Sequence, residues 1–291
     1  MKKSYIASAA ALLLVSGSLM AQTIVTVNGA KIDSKDIDYQ VKLLQSQNPQ
    51  VQDSPMLRRN LTERQVTMTL VAQEAKRLKL EQSAEYKQAL EQARAAAKQS
   101  GEDKKPGFTQ QWSAFETALQ NQAYIAHVLR SNPVTENDVK KAYGDFSKFY
   151  QGSHEVQLGE ILTRNAADAQ KAIADLKAKK DFKSVAKQYT ADPRGKQTGG
   201  LNAAYVNLKD LEQGAPAVYA VVKNLNKGGY TITPLEDGNG LYGVFYINDK
   251  RAAKVPDYET AKNGIAQELQ AARVDGAIES LYRKAKIQNA K

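Results

Sequence analysis

"DFKSVAKQYTADPRGKQTGGLNAAY", Asp181–Tyr205, decides how the middle of this chain is read. It opens with the pattern of a helix, breaks at Asp192-Pro193, passes Arg194 and Lys196, and reaches the pair Gly199-Gly200. Taken alone, it is a helix that runs into a surface turn. Its neighbours give it a context. "HEVQLGEILT", from His154, is strand-like, and "AADAQKAIADLKAKK" is helical. "APAVYAVVKNL" reads as a third helix, and "YTITPLEDGNGLYGVFYINDKR" as two strands joined through Asp237-Gly238, a strong hairpin signal. Together these blocks make an α+β module of about 100 residues, a size that folds independently.

The flanks have a different texture. "TIVTVNGAKIDSKDIDYQVKLLQSQ" predicts two short strands around Asn28-Gly29 and then a helix capped by Ser34 or Asp36. Pro55 starts a long amphipathic helix with Leu57, Leu61, Met68, Val71, Ala75 and Leu78 on one stripe. A second helix follows Ser83, with Tyr86, Leu90, Ala93 and Ala97 on one face. A third places Trp112, Phe115, Leu119, Ala123 and Ala126 on its apolar side and stops at Pro133. Thr135, with Asp138 three residues on, opens another. At the far end Ile265, Leu269, Ala272, Ile278, Leu281 and Ala285 mark a final helix, too one-sided to stand alone in water. Its simplest home is against the N-terminal helices, with the α+β module inserted between the two parts.

Composition bounds the function. With 291 residues, 42% of them hydrophobic, the chain can bury a sizeable core. "MKKSYIASAAALLLVSGSLMA" carries Lys2 and Lys3, an apolar run and a small-residue end at Ala21, the pattern of a secretory signal. The absence of cysteine excludes disulfides, thiol catalysis and a lipid anchor on an N-terminal cysteine. These features predict a soluble periplasmic protein with no membrane span once the signal is cleaved. The net charge is +10, but no dense basic block interleaved with aromatics occurs, so nucleic acid is not an expected partner. Attraction to anionic membrane surfaces or acidic client chains is compatible with that charge, as is an ordinary solvated helical surface.

Two histidines are too few for a multi-histidine metal site, and neither a nucleotide-binding glycine motif nor a G-x-S-x-G is present. His127 sits beside an apolar stripe and reads as structural, and His154 reads as a linker residue at the module's edge. No metal or cofactor is called for.

Read in order, strand, helices, Gly-Gly loop and closing hairpin resemble the parvulin family of peptidyl-prolyl isomerases. "EVQLGEIL" is similar to its first strand, "DFKSVAKQYTADPRGKQTGGL" to its second helix and active-site loop, and "GAPAVYAVVKNLNKGG" to its third helix. "PLEDGNGLYGVFYINDKR" is similar to its closing strands. "VTVNGAKIDSKDID" and "NPVTENDVKKAYGDF" resemble the segments that open and close the helical domain of SurA- and PrsA-type foldases. The resemblance implies a signal at 1–21, a SurA-like helical chaperone domain at 22–152, a parvulin-like domain at 153–252, and a C-terminal helix at 253–291 packed on the N-terminal domain.

Parvulins are expected to use two strand histidines, a loop Cys or Asp, and an apolar Met/Phe pocket. Carried over, Asp192 falls at the loop position and Gly199-Gly200 at the turn after it. Glu160 falls at the first histidine, and Tyr242, or Gly243 if the alignment slips by one, at the second. Gly214 and Val218 fall at the pocket positions with Pro216 between them, and Leu201 and Tyr205 can add an apolar wall. The resemblance thus implies Glu160, Asp192 and Tyr242 as a polar cluster and Leu201, Tyr205, Pro216 and Val218 as substrate contacts. Two functions follow from it. One is an exported foldase that binds unfolded or nascent exported proteins, outer-membrane proteins among them, and isomerises their X-Pro bonds. The other is a holdase without catalysis, favoured by the loss of both histidines.

Overall fold

The computed structural model describes residues 22–290, so the signal expected at 1–21 lies outside the described residues. The architecture is α+β and divides into two units. One comprises the chain up to Val134 together with the chain from Glu268 onward; the other is Thr135–Gln267.

In the first unit β1 (Thr23–Val27) and β2 (Ala30–Asp33) pair antiparallel around Asn28-Gly29, whose φ angles are 51° and 86°. The helix that follows, α1 (Ser34–Gln47), is capped one residue earlier than expected. Asp33 is its N-cap, and Asp36 reaches back to accept from the Asp33 N–H at 3.2 Å. Next come α2 (Pro55–Arg77), α3 (Ala84–Ser100) and α4 (Phe108–Ser131). The Ser54 and Ser83 hydroxyls cap the first two by accepting from the N–H groups of Leu57 and Tyr86. The stripe on α4 is rotated from the expected one. Tyr124 is buried against Val71 and Ala75, whereas Phe115 and Ala126 are exposed.

The last helix, α11 (Tyr258–Lys284), brings Ala277, Ile278 and Leu281 onto Val71, Ala75 and Tyr124. Leu281, Tyr282 and Ala285 also pack on the cluster of Val25, Val27, Ile32, Ile37, Val41, Leu61, Val66 and Leu70. The Tyr282 and Thr67 hydroxyls meet at 2.6 Å. A final strand, β7 (Ile287–Asn289), pairs antiparallel with β1 and completes a sheet of order β2-β1-β7. The sequence offers no alternation there, and only pairing with β1 makes the segment a strand.

The second unit opens with α5 (Glu136–Tyr150), started by a reciprocal Thr135–Asp138 capping box. Tyr143 on this helix stacks edge-on with Tyr258 and donates its hydroxyl proton to the Pro256 carbonyl. Those contacts tie residues on both sides of the 153–252 stretch to this unit. The sheet has the order β4-β3-β6-β5, all antiparallel: β3 (His154–Thr163), β4 (Val206–Asn207), β5 (Leu235–Glu236) and β6 (Tyr242–Ala252). The turn before β6 is built on Asp237, whose carboxylate accepts from the N–H groups of Asn239 and Leu241.

Helices α6 (Ala166–Lys177) and α7 (Phe182–Tyr189) cover one face through Ala169, Ala172, Ile173, Leu176, Phe182, Val185 and Ala186, packed on Ile161 and Val244. The expected third helix is the short α10 (Pro216–Val222), and a helix the sequence did not signal, α9 (Leu208–Gly214), precedes it and stops before Pro216, which lacks the N–H to continue it. They cover the other face through Leu211, Val218 and Val222, against Leu158, Phe245 and Ile247. Among the described residues no helix is long and apolar enough to cross a membrane.

Candidate functional site

The loop between Thr190 and Leu201 contains a short helix, α8 (Pro193–Thr198), and that helix determines what Asp192 does. Asp192 is its N-cap, with carboxylate oxygens 3.1 Å from the Arg194 nitrogen and 2.7 Å from the Gly195 nitrogen. Both oxygens are therefore engaged by backbone donors at the start of the helix. Thr190, 2% exposed, anchors the loop to β3. Its hydroxyl lies 3.3 Å from the Leu162 carbonyl, the Leu162 N–H and the Asp192 N–H, and the Ala191 N–H donates to the same carbonyl at 2.6 Å.

After α8 the chain returns to β3. The Gly200 carbonyl accepts from the Glu160 N–H at 2.8 Å, and Gly200 has φ of 73°. A Cβ there would lie 2.6 Å from the Glu160 carbonyl oxygen and 2.8 Å from the Ala186 Cβ, so glycine is required by conformation and by space. The loop thus grips the Glu160–Leu162 backbone from both sides.

The β3–β6 register sorts the side chains. Glu160 faces Phe245 across the strands, Leu158 faces Ile247, and Leu162 faces Gly243; these share the face covered by α9 and α10. Ile161–Val244 and Thr163–Tyr242 lie on the opposite face, under α6 and α7. Glu160 and Asp192 are brought within electrostatic reach. Tyr242 is not: alternation places it on the other side of the sheet from Glu160. The position that shares Glu160's face is Gly243, whose missing Cβ would fall 3.0 Å from the Phe245 ring. That ring occupies the space a side chain at 243 would use.

Glu160 is half-buried, and no hydrogen bond to its carboxyl occurs among the described residues. Burial pushes its pKa up, and the Asp192 charge adds to the shift. The site therefore offers a carboxyl inclined to hold its proton, beside a second carboxyl committed to capping α8.

Residues 134–263 match the family of PPIC-type PPIase domains. This segment is a parvulin-type PPIase domain. Over 284 residues the chain is 26% identical to a probable parvulin-type peptidyl-prolyl cis-trans isomerase of Bordetella pertussis, covering 97% of this chain and 99% of that protein. It is 24% identical to the foldase protein PrsA of Clostridium botulinum over 277 residues, covering 85% and 81% respectively. The crystal structure of the peptidylprolyl isomerase PrsA from Bacillus anthracis aligns at 18% identity and a TM-score of 0.41, covering 77% of this chain and 96% of that one.

The four apolar residues expected at the substrate site of the parvulin domain do not converge. Val218 packs on the Phe245 face, and Pro216 stands exposed at the first turn of α10. Leu201 bridges Gly159 and packs with Phe182 on the opposite face. Tyr205 lies toward the other end of the strands, its hydroxyl bonded to Asp249 and its ring beneath the Arg251 guanidinium. Thr190 and Phe245 escaped the sequence reading. The signal for Thr190 was its place two residues before a capping Asp; Phe245 has none without the register. The two histidines take part in no metal cluster among the described residues, and the His127 Nε2 lies 3.5 Å from the Ser131 hydroxyl.

The helical unit has a site of another kind, a groove of about 290 Å³ between α1, α2 and α4. Leu43, Leu44, Leu61 and Met68 give it an apolar lining, rimmed by Asp36 and Arg64. Leu43 is 45% exposed there.

Proposed function

We propose that the protein is an exported folding factor that binds unfolded client proteins and accelerates cis-trans isomerisation of their X-Pro bonds, with Glu160 as the polar group beneath the reacting amide. The observation that carries this reading is Glu160 itself. It is a half-buried carboxyl without a hydrogen-bond partner among the described residues, on the sheet face that presents Phe245 and Val218, in a segment matched to PPIC-type PPIase domains.

Rotation about a peptide bond faces a barrier of about 18–20 kcal/mol, and X-Pro exchange takes tens to hundreds of seconds. No bond need be made or broken. A site that binds the twisted amide better than either planar form lowers the barrier. A protonated Glu160 donates a hydrogen bond to an amide that has lost its resonance, in surroundings dry enough to strengthen that bond. Asp192 contributes by positioning: it holds α8 and favours the proton on Glu160. The groove in the helical unit supports client binding by apolar contact, and with no nucleotide motif that binding is passive.

A holdase without catalysis is the second reading. Two observations favour it: Gly243 puts no side chain on Glu160's face, and Asp192 has both oxygens committed to its cap. Exchange NMR on an X-Pro peptide separates the two. Catalysis that falls at least about tenfold in Glu160→Ala and largely survives in Glu160→Gln supports the isomerase. An exchange rate equal to the uncatalysed one leaves the holdase.

A further inference from the structure

Arg164 to Lys196 contains nine Lys and Arg against four Asp, an excess of five within the chain's formal net charge of +10. Half the surplus charge thus sits in the segment that forms α6, α7 and α8. The excess already counts the four acids, and each of them has a local partner. Asp168 accepts from Asn165 and Lys171, and Asp175 from Lys180 and Tyr189. Asp181 caps α7 through Ser184, and Asp192 caps α8.

Seven cationic side chains remain: Arg164, Lys177, Lys179, Lys183, Lys187, Arg194 and Lys196. All are exposed, and none has an ion-pair or hydrogen-bond partner among the described residues. Topology gathers those on α7, on α8 and in the turn between α6 and α7. Helix α7 packs on both α6 and α8, and Lys183 and Lys187 lie four residues apart along its exposed side. Gly199, at the end of α8, comes so close that a Cβ there would lie 2.8 Å from the Lys183 Cβ. Lys179, with φ of 63°, sits in the turn between α6 and α7.

We infer that this face is a docking surface for an anionic phospholipid bilayer. The chemistry of the face selects that partner. The cations are mostly lysines, point charges on flexible stems that suit a diffuse field rather than a shaped ligand. No large exposed hydrophobic side chain lies between residues 164 and 196, so the surface offers an unfolded acidic chain no apolar hold. A plane of headgroup phosphates needs only the charge, at about 1 kcal/mol per Lys or Arg near the surface. Docking through this face places the site loop, which carries Arg194 and Lys196, next to the membrane.

The test is flotation of the full chain with phosphatidylcholine vesicles, with and without phosphatidylglycerol, at low and high salt. Binding is expected only with phosphatidylglycerol and is lost at high salt. The combined K183Q, K187Q and K196Q variant should bind roughly a hundredfold more weakly, from about fivefold per lysine. K35Q, K87Q and K98Q, which remove equal charge from the helical unit, should leave most of the binding. The inference is overturned if anionic vesicles are not bound, if both triple variants weaken alike, or if the chain binds polyglutamate and ignores the vesicles. X-Pro exchange on a short peptide should be unchanged in the K183Q, K187Q double variant, whose substitutions lie on α7 and outside the site loop, so failure of this inference is distinguishable from failure of the isomerase reading.

Discussion

Glu160 and Asp192 are both carboxyls, and their surroundings divide them. Two backbone N–H groups engage the Asp192 carboxylate, whereas Glu160 has its pKa raised by burial and by the nearby Asp192. Asp192→Asn keeps an oxygen for the cap and removes the charge, so the Glu160 pKa, read by carboxyl NMR, should fall. The shift also links to stability. A carboxyl whose folded pKa exceeds its unfolded value favours folding when protonated. That contribution is complete below the unfolded value near 4.5 and is lost as pH rises through the raised folded value. Glu160→Gln should therefore melt above the native protein at pH well above that range, with the gap closing in acid. A difference independent of pH would show that Glu160 does not titrate in this way. Asp192 and Glu160 could be named from order along the chain, because each belongs to a locally recognisable block. Tyr242 and Gly243 could not be told apart, because adjacent strand residues point to opposite faces and only pairing decides which faces the site.

At the scale of elements, the stretch from Thr190 to Gly200 acts as a clasp on β3. It is held by the Thr190 hydroxyl at one end and the Gly200 carbonyl at the other. Gly200→Ala must accommodate a Cβ against the Glu160 carbonyl at an unfavourable φ. A loss of about 1–3 kcal/mol in denaturant unfolding is expected, with perturbed Glu160 resonances. A neutral outcome would mean the clasp is looser than its geometry. Helix α8 inside the clasp was legible as Asp-Pro followed by Gly-Gly, a start and a stop, yet six residues are too few for a periodic signal. The start of α10 was marked by Pro216, whereas α9, seven residues long, carried no signal of its own. The rotation of the α4 stripe was not marked, because Phe115 and Tyr124 are equally apolar candidates and the partner helices choose between them.

On the scale of the whole molecule, the chain's two ends build one unit and the PPIase domain interrupts it. Residues near either terminus share a sheet: Val25 pairs with Asn289 and Val27 with Ile287. Ending the chain at Lys286 removes β7 and exposes an edge of β1. Such a truncation should lower the melting temperature of the helical unit while leaving the PPIase domain's transition in place. Two calorimetric transitions, only the first of them shifted, are the expected record. If both move together, the units unfold as one.

The sequence by itself determined the α+β class, the order of the blocks, the parvulin-like loop and the presence of amphipathic helices at both ends, because caps, breakers and periodicity are local properties. Tertiary structure alone decided that Glu160 keeps company with Phe245 and not with Tyr242, that Leu201 and Tyr205 serve packing elsewhere, and that Ile287–Asn289 becomes a strand. Those outcomes rest on register and on pairing between residues far apart in the chain, and a side chain's neighbours across a sheet are set by hydrogen bonds that no local pattern encodes.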